Sequence, residues 1–204
     1  IYKKKYKIFL MSDDNVDTFK MRKKLRYLVF LISSKFVDGI ILTNKKIKLK
    51  YKRIVKKSCS LLHYPIIQDE KRFRFDLKKS LKLSRKDFLK FKLHGKKIIL
   101  FVGRLHPHKN VEHLITSFSK ISDCSLTLFI IGSGYQYQML KTLSLKLNCS
   151  KKIFFLGKKE NLKLYSWYNI AQLLVLPSLK EPFGTVINEA LLSGLKVICS
   201  NRVG

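Results

Sequence analysis

The chain has 204 residues, room for one or two domains, and 46% of them are hydrophobic, enough for a real core. Its 43 Lys and Arg against 13 Asp and Glu leave a formal charge of +30, which attracts nucleic acid, anionic lipid headgroups or phosphorylated substrates, or else belongs to a lysine-biased surface without a specific partner. No apolar run approaches the ~20 residues of a membrane-spanning helix, and Cys59, Cys124, Cys149 and Cys199 are scattered without C-x-x-C pairing, which points to buried free thiols in a reducing compartment rather than a disulfide or zinc scaffold.

The charge is uneven: residues 1–95 carry 28 Lys and Arg against eight acids, and residues 96–204 carry 15 against five. In chain order, "SDDNVD" (12–17) reads as a loop, and Phe19 to Val37 reads as a basic amphipathic helix. That helix either packs on its own domain or lies on an anionic membrane. "GIILT" (39–43) and "SLLHYP" (60–65) are strand-like. Residues 66–95 are polar and lysine-rich, without a clean period until "LSRKDFLKF", and read as a linker and lead-in. Residues 1–65 then form the end of a preceding domain, and residues 96–204 form the next one. The chain starts at Ile1 and stops on "CSNRVG" without a closing element, so it is expected to be part of a longer protein.

From Lys97 onward strands and helices alternate. "KIILFV" (97–102), "LTLFII" (126–131), "IFFL" (153–156), "LLVLP" (173–177) and "KVICS" (196–200) are the strands. Between them, helices are expected over Asn110–Ile121 with Asn110 as N-cap, Tyr135–Leu147, Asn161–Ile170 and Thr185–Ser193. Met139, Leu140, Leu143 and Leu147 are placed on one face of the second. The strands are continuous apolar runs rather than alternating ones, as in a parallel sheet covered on both faces. The pattern predicts a doubly wound α/β domain.

Ligands of such sheets bind beyond the carboxyl ends of the strands, and three ends here carry candidates. In "FVGRLHPHKN" (101–110), Gly103 ends a strand and Arg104 and Lys109 follow it before a helix N-terminus, an arrangement suited to an anion or to an ordinary basic loop. In "IIGSGYQ" (131–137), Gly132 and Gly134 let backbone approach a ligand; the third glycine and downstream acid of a dinucleotide fingerprint are missing, which argues against NAD. In "LKEPFGTVINEALLSG" (179–194), Glu181 and Glu189 flank a helix start at Gly184. Acids there are either plain helix stabilisers or ligand groups; Glu189, deeper and near an apolar run, is less well explained by the first.

Taken together in this order, the segments resemble the family 4 glycosyltransferases, which have the GT-B fold. "ILFVGRLHPHKNVEHLI", "LFIIGSG" and "IFFLGKKENLKLYSWYNIAQLLVLPSLKEPFGTVINEAL" resemble successive stretches of that family, ending in its Glu-x7-Glu motif, and "FVDGIILTNK" and "SLLHYPII" are similar to its last N-terminal strands and the crossing to the linker. The resemblance implies a GT-B glycosyltransferase: a Rossmann-like doubly wound parallel sheet as the C-terminal domain, plus a partial N-terminal α/β domain. It also implies sugar transfer from a nucleotide-sugar to an acceptor hydroxyl with retention, in cell-surface polysaccharide or glycolipid synthesis.

By the same resemblance, Arg104 and Lys109 hold the donor diphosphate and Glu181 bonds the sugar hydroxyls. Gly103, Gly132 and the amides of Phe183, Gly184 and Thr185 lie against the donor, Gly157 and Lys158 form the base-contacting turn, and Glu189 takes the ribose. No metal or other cofactor is expected, since two cations and a helix dipole replace Mg²⁺. The expected partners are a nucleotide-sugar, a glycan or lipid-linked acceptor and an anionic membrane surface, at a cytoplasmic location, with no nucleic acid. The family's His near the donor sugar has no counterpart among His63, His94, His106, His108 and His113, which read as surface or structural residues. The segment His63-Tyr64-Pro65 stands where related linkers read Tyr-Asn-Pro. This stretch alone is expected to be inactive. The alternatives are a truncated, non-catalytic nucleotide-sugar-binding remnant and a basic nucleic-acid-binding module.

Overall fold

The computed structural model describes residues 6–12, 24–43, 47–56, 58–64 and 69–203. Two compact units divide the chain between residues 67 and 68.

In the first unit, β1 (Phe9–Ser12), β2 (Gly39–Leu42) and β3 (Ser60–His63) pair in parallel in the order β1-β2-β3. Two helices, α1 (Lys24–Ser34) and α2 (Lys48–Lys52), belong to this unit. Ile40, Leu42, Ile47, Tyr51, Cys59 and Phe30 form its core. Tyr51 is buried, stacks edge-on against Phe30 at 5.3 Å, and shares a 2.6 Å hydrogen bond with Ser12; a buried phenol needs such a partner. Gly39 is required by space: a Cβ would meet the Phe9 ring at 2.5 Å and the Ser60 carbonyl at 2.8 Å. Leu28, Val29, Ile32 and Phe36 are exposed. Arg22, Lys23 and the loop 13–17 lie outside the described residues, as do the side chains of Lys24 and Arg26.

The second unit opens with two helices, α3 (Glu70–Lys79) and α4 (Leu81–Lys90). They occupy most of the stretch expected as linker and lead-in. Asp69 caps α3 by accepting from the Arg72 amide at 3.1 Å. Phe73, one turn before Leu77, is buried and meets Tyr165 edge-on at 4.9 Å. A single amide, Asn169 Nδ2, reaches the Leu77 carbonyl (3.1 Å), Ser80 Oγ (2.8 Å) and Ser84 Oγ (3.0 Å), pinning the corner between α3 and α4. Phe73, Leu77, Phe88 and Phe91 pack on the core alongside these serines, and the lysine-rich outer surface masks the helical period.

Five parallel strands follow: β4 (Lys97–Val102), β5 (Leu126–Ile131), β6 (Ile153–Gly157), β7 (Leu173–Leu176) and β8 (Lys196–Cys199), in the order β6-β5-β4-β7-β8. The helices between them are α5 (Val111–Ser119), α6 (Tyr137–Lys146), α7 (Leu162–Ile170) and α8 (Thr185–Leu192). Alternate residues of each strand feed opposite faces. Ile98, Leu100, Val102, Phe129 and Ile131 join Trp167 and Tyr168 of α7 in one core. Phe101, Leu128 and Ile130 join α5 and Leu140 of α6 in the other. In β4 and β5 both faces are covered, which is why Ile98–Val102 and Leu128–Ile131 are continuous apolar runs, whereas β8 at the sheet edge leaves Lys196, Ile198 and Cys199 exposed.

Three local expectations change. Asn110 precedes α5 as predicted but has φ 57°, ψ 36° and makes no side-chain cap; it closes the turn Pro107–Lys109 in the left-handed region that Asn tolerates. Met139 is 40% exposed, while its neighbour Leu140 is fully buried. Of the cysteines, Cys59 and Cys149 are buried and Cys124 and Cys199 are exposed.

Candidate functional site

The strand order reverses around β4, whose neighbours are β5 on one side and β7 on the other. Such a switch point leaves a crevice between the loops that diverge from the two strands. Here those loops carry Gly103–Lys109 after β4 and Pro177–Gly184 after β7.

Backbone bonds stitch the β4 loop to the β5 loop: Gly103 N donates to the Ile131 carbonyl at 3.0 Å and Leu105 N to the Ser133 carbonyl at 2.9 Å. Gly132 N in turn donates to the Gly157 carbonyl at the end of β6 at 2.9 Å. Gly132 (φ 153°) and Gly134 (φ 159°) are needed because a Cβ would strike the carbonyl oxygens of Gly103 and Leu105. The near neighbours of both glycines are therefore the β4 loop itself. Gly103, Arg104, Gly132, Ser133, Lys158 and Lys159 line a cleft of about 370 Å³. Arg104 is exposed there, and Lys158 pairs with Glu160 on the surface.

The β4 and β7 loops are joined by an ion pair. Lys109 Nζ donates to Glu181 Oε2, with side-chain exposures of only 14% and 12%. Leu179 N donates to the His108 carbonyl at 2.8 Å, and Glu181 N to the Arg202 carbonyl at 3.3 Å, so the backbone on both sides is held. The family resemblance implied a diphosphate for Lys109 and a sugar for Glu181; the structure brings the two side chains onto each other. Gly184, with φ 71°, turns the chain into α8, and a Cβ there would meet Val203 at 2.7 Å. The first amides of α8 have no carbonyl within the helix to bond. Among them Thr185 is exposed and the preceding Phe183 is half-buried.

Glu189 takes a different partner. Tyr168 Oη on α7 donates to Glu189 Oε2 at 2.8 Å. Burial pushes the Glu189 carboxyl up, while the bond from Tyr168 works the other way. Burial, then the charge of Glu189, drives the Tyr168 phenol well above its ordinary range. Glu189 makes no ion pair among the described residues. Glu181 and Glu189 therefore have separate partners on separate elements.

Three residues at or beside the site were missed from the sequence. Tyr168 lies on a helix face that reads as plain core. Lys159 lines the cleft beside Lys158, and only the doubled lysine of "GKKEN" hinted at it. His108 packs its ring 4.1 Å from His106, whose Nδ1 is buried without a partner among the described residues. Burial first, then His106 and Lys109, lower the His108 pKa, against an opposing pull from Glu181.

No group of three or more metal-ligating side chains occurs among the described residues. Nor is any of their helices long and apolar enough to cross a membrane.

Solved structures share this architecture. The chain superposes with a TM-score of 0.78 on Anabaena Alr3699/HepE in complex with UDP and glucose, at 17% identity over 97% of this chain and 54% of that one. On a sucrose-phosphate synthase from Thermosynechococcus elongatus the score is 0.72, at 23% identity over 96% and 50%. The parallel sheets and these neighbours define a partial GT-B glycosyltransferase fold. Residues 84–204 match the family described as glycosyl transferases group 1, and the chain belongs to that family.

Among curated relatives, an uncharacterised glycosyltransferase of Methanocaldococcus jannaschii is 39% identical over 109 residues, 53% of this chain and 28% of that protein. D-inositol 3-phosphate glycosyltransferase of Corynebacterium glutamicum is 34% identical over 116 residues, 53% and 28%. The matched segment spans about 28% of the length of these relatives.

Proposed function

We propose that the chain is the donor-binding part of a family 4 glycosyltransferase that moves a sugar from a nucleotide-sugar to an acceptor hydroxyl with retention. The observation that carries this reading is the desolvated Lys109–Glu181 pair, which spans the switch-point crevice just before α8. An ammonium has three donors, so Lys109 can hold Glu181 and a phosphate oxygen together. Glu181 then accepts from sugar hydroxyls, and Arg104 and Lys109 stabilise charge building on the leaving diphosphate. Phe183, Gly184 and Thr185 supply amides at the positive end of α8, Gly157 and Lys158 border the base, and Glu189 takes the ribose hydroxyls with its conformation held by Tyr168. No metal is needed where these cations face the diphosphate. HepE is solved in complex with UDP and with UDP-glucose, which favours a uridine donor for the first trials.

The acceptor in this proposal is a glycan or lipid-linked hydroxyl at the cytoplasmic face of a membrane. The exposed apolar residues Leu28, Val29, Ile32 and Phe36 on and just after α1 support peripheral contact with anionic lipid.

The test is calorimetric titration of the chain with UDP-, GDP- and ADP-glucose. One of them is expected to bind, and Arg104→Ala to weaken it at least tenfold while leaving the melting temperature of the free chain unchanged, because Arg104 is exposed. Undiminished binding in that variant places the donor elsewhere. On the full open reading frame, transfer that persists in EDTA and an axial anomeric product by NMR test metal independence and retention.

A further inference from the structure

A second cavity lies apart from the switch point. Lys86, Asp87, Lys90 and Phe91 on and after α4 face Leu156 on β6, Lys159 in the loop beyond it, and Lys163, Ser166 and Trp167 on α7, enclosing about 260 Å³. Its floor is apolar: Trp167 is packed against Phe129 at 4.5 Å and Phe91 at 5.4 Å. Its rim is cationic, with four lysines from three separate elements. Asp87 is the one carboxylate on the lining, and it already accepts from Ser166 Oγ at 2.9 Å. Lys86 and Lys90 stand one turn apart on α4, where like charges disfavour a helix. Lys90 Nζ stands 5.6 Å over the Phe91 ring, and no ion pair among the described residues neutralises the four charges. An anion seated among the four ammoniums relieves their repulsion, and a short apolar body fills the aromatic floor. The cavity is smaller than those that take drug-sized ligands.

We propose that this groove binds a small soluble phosphomonoester with a short apolar body, separately from the donor cleft. The proposal does not depend on the reaction assigned above. Lys159 borders both cavities, so occupancy of the groove draws on a charge that the donor cleft also uses.

Trp167 is the only tryptophan in the chain, so its emission reports on the floor directly. Titration of the chain with hexyl phosphate is expected to change that emission saturably. Hexanol and inorganic phosphate, each carrying half of the ligand, are expected to bind at least tenfold more weakly. Lys86→Glu with Lys163→Glu should weaken hexyl phosphate at least tenfold, and Lys141→Glu with Lys146→Glu on α6 should not. If the first pair lowers the melting temperature, Lys86→Gln with Lys163→Gln must still weaken binding. The proposal is overturned by no saturable change, by equal loss in both lysine pairs, or by binding that Arg104→Ala abolishes, which would put the probe in the donor cleft. Vesicles of phosphatidic acid that bind through Lys86 and Lys163 while hexyl phosphate does not would also overturn it, in favour of a lipid surface.

Discussion

The loop before α8 and the body of α8 each hold one glutamate, and the two are stabilised in opposite ways. Glu181, in the loop, meets a cation: Lys109 faces it in a largely desolvated setting, and the two charges offset each other. Glu189, inside the helix, meets a neutral phenol, so its charge is only hydrogen-bonded and burial pushes its carboxyl up. The contrast separates a charge that needs its partner from a charge that tolerates a weaker one. Glu181 and Lys109 also tie two loops separated by 72 residues, whereas the bond between Tyr168 and Glu189 ties two packed helices.

The largest effect is expected from breaking the ion pair. Removing one partner of a buried pair leaves an uncompensated charge and costs about 3 kcal/mol or more. Lys109→Ala and Glu181→Ala should each lower unfolding free energy by that order in urea denaturation, and the double variant should cost much less than the two added together. A double variant with matched apolar residues, Lys109→Met with Glu181→Leu, is expected to be near neutral in stability and, under the proposed function, to lose nucleotide-sugar binding. Equal, additive losses of less than 1 kcal/mol would show that the pair is solvated and erase the contrast with Glu189.

Next in size is the phenol. Tyr168→Phe keeps the packing and removes one hydrogen bond to a buried carboxylate, an effect of about 1–2 kcal/mol. The same pair sets a pH signature. With its folded pKa raised above the ordinary 4.5, Glu189 binds its proton more tightly in the folded chain, so its contribution favours folding below that range and is lost as pH rises through the folded value. Glu189→Gln should flatten this fall in a series of urea melts across weakly acid pH, and Tyr168→Phe should steepen it, because the phenol favours the charged form. An unchanged profile in both variants would mean that Glu189 is solvated.

The two glutamates also mark how far the sequence could be read. The central strands of the second unit were legible because both faces of the sheet are covered there, so Ile98–Val102 and Leu128–Ile131 are apolar without a break. The helices α3 and α4 were not, because their apolar contacts, Phe73, Leu77 and Phe88 with Phe91 just beyond, are interleaved with buried serines beneath a lysine surface. Glycine positions in the site were legible as turns, but not their reason: Gly132 is small for the carbonyl of Gly103. Pairings were the least legible. That Lys109 meets Glu181 depends on β4 and β7 being neighbours, a consequence of strand order that no local pattern contains.

The smallest effect belongs to His108, whose carbonyl anchors the β7 loop and whose ring stands beside the same ion pair. Its folded pKa lies below the ordinary 6.5, chiefly through burial and then through His106 and Lys109. The folded chain therefore disfavours the imidazolium. The stability that His108 contributes is complete above about pH 6.5 and falls away as pH drops below it, because the unfolded chain takes up the proton first. His108→Asn keeps the backbone anchor and removes the titration, so its urea midpoint should change less than that of the parent between pH 7.5 and 5.5. Glu181 pulls His108 the other way, so Glu181→Gln should steepen the parent's acid fall. If His108→Asn titrates like the parent, the acid response comes from elsewhere in the chain, and the loop after β4 differs from α8 only in the strength of its ion pair.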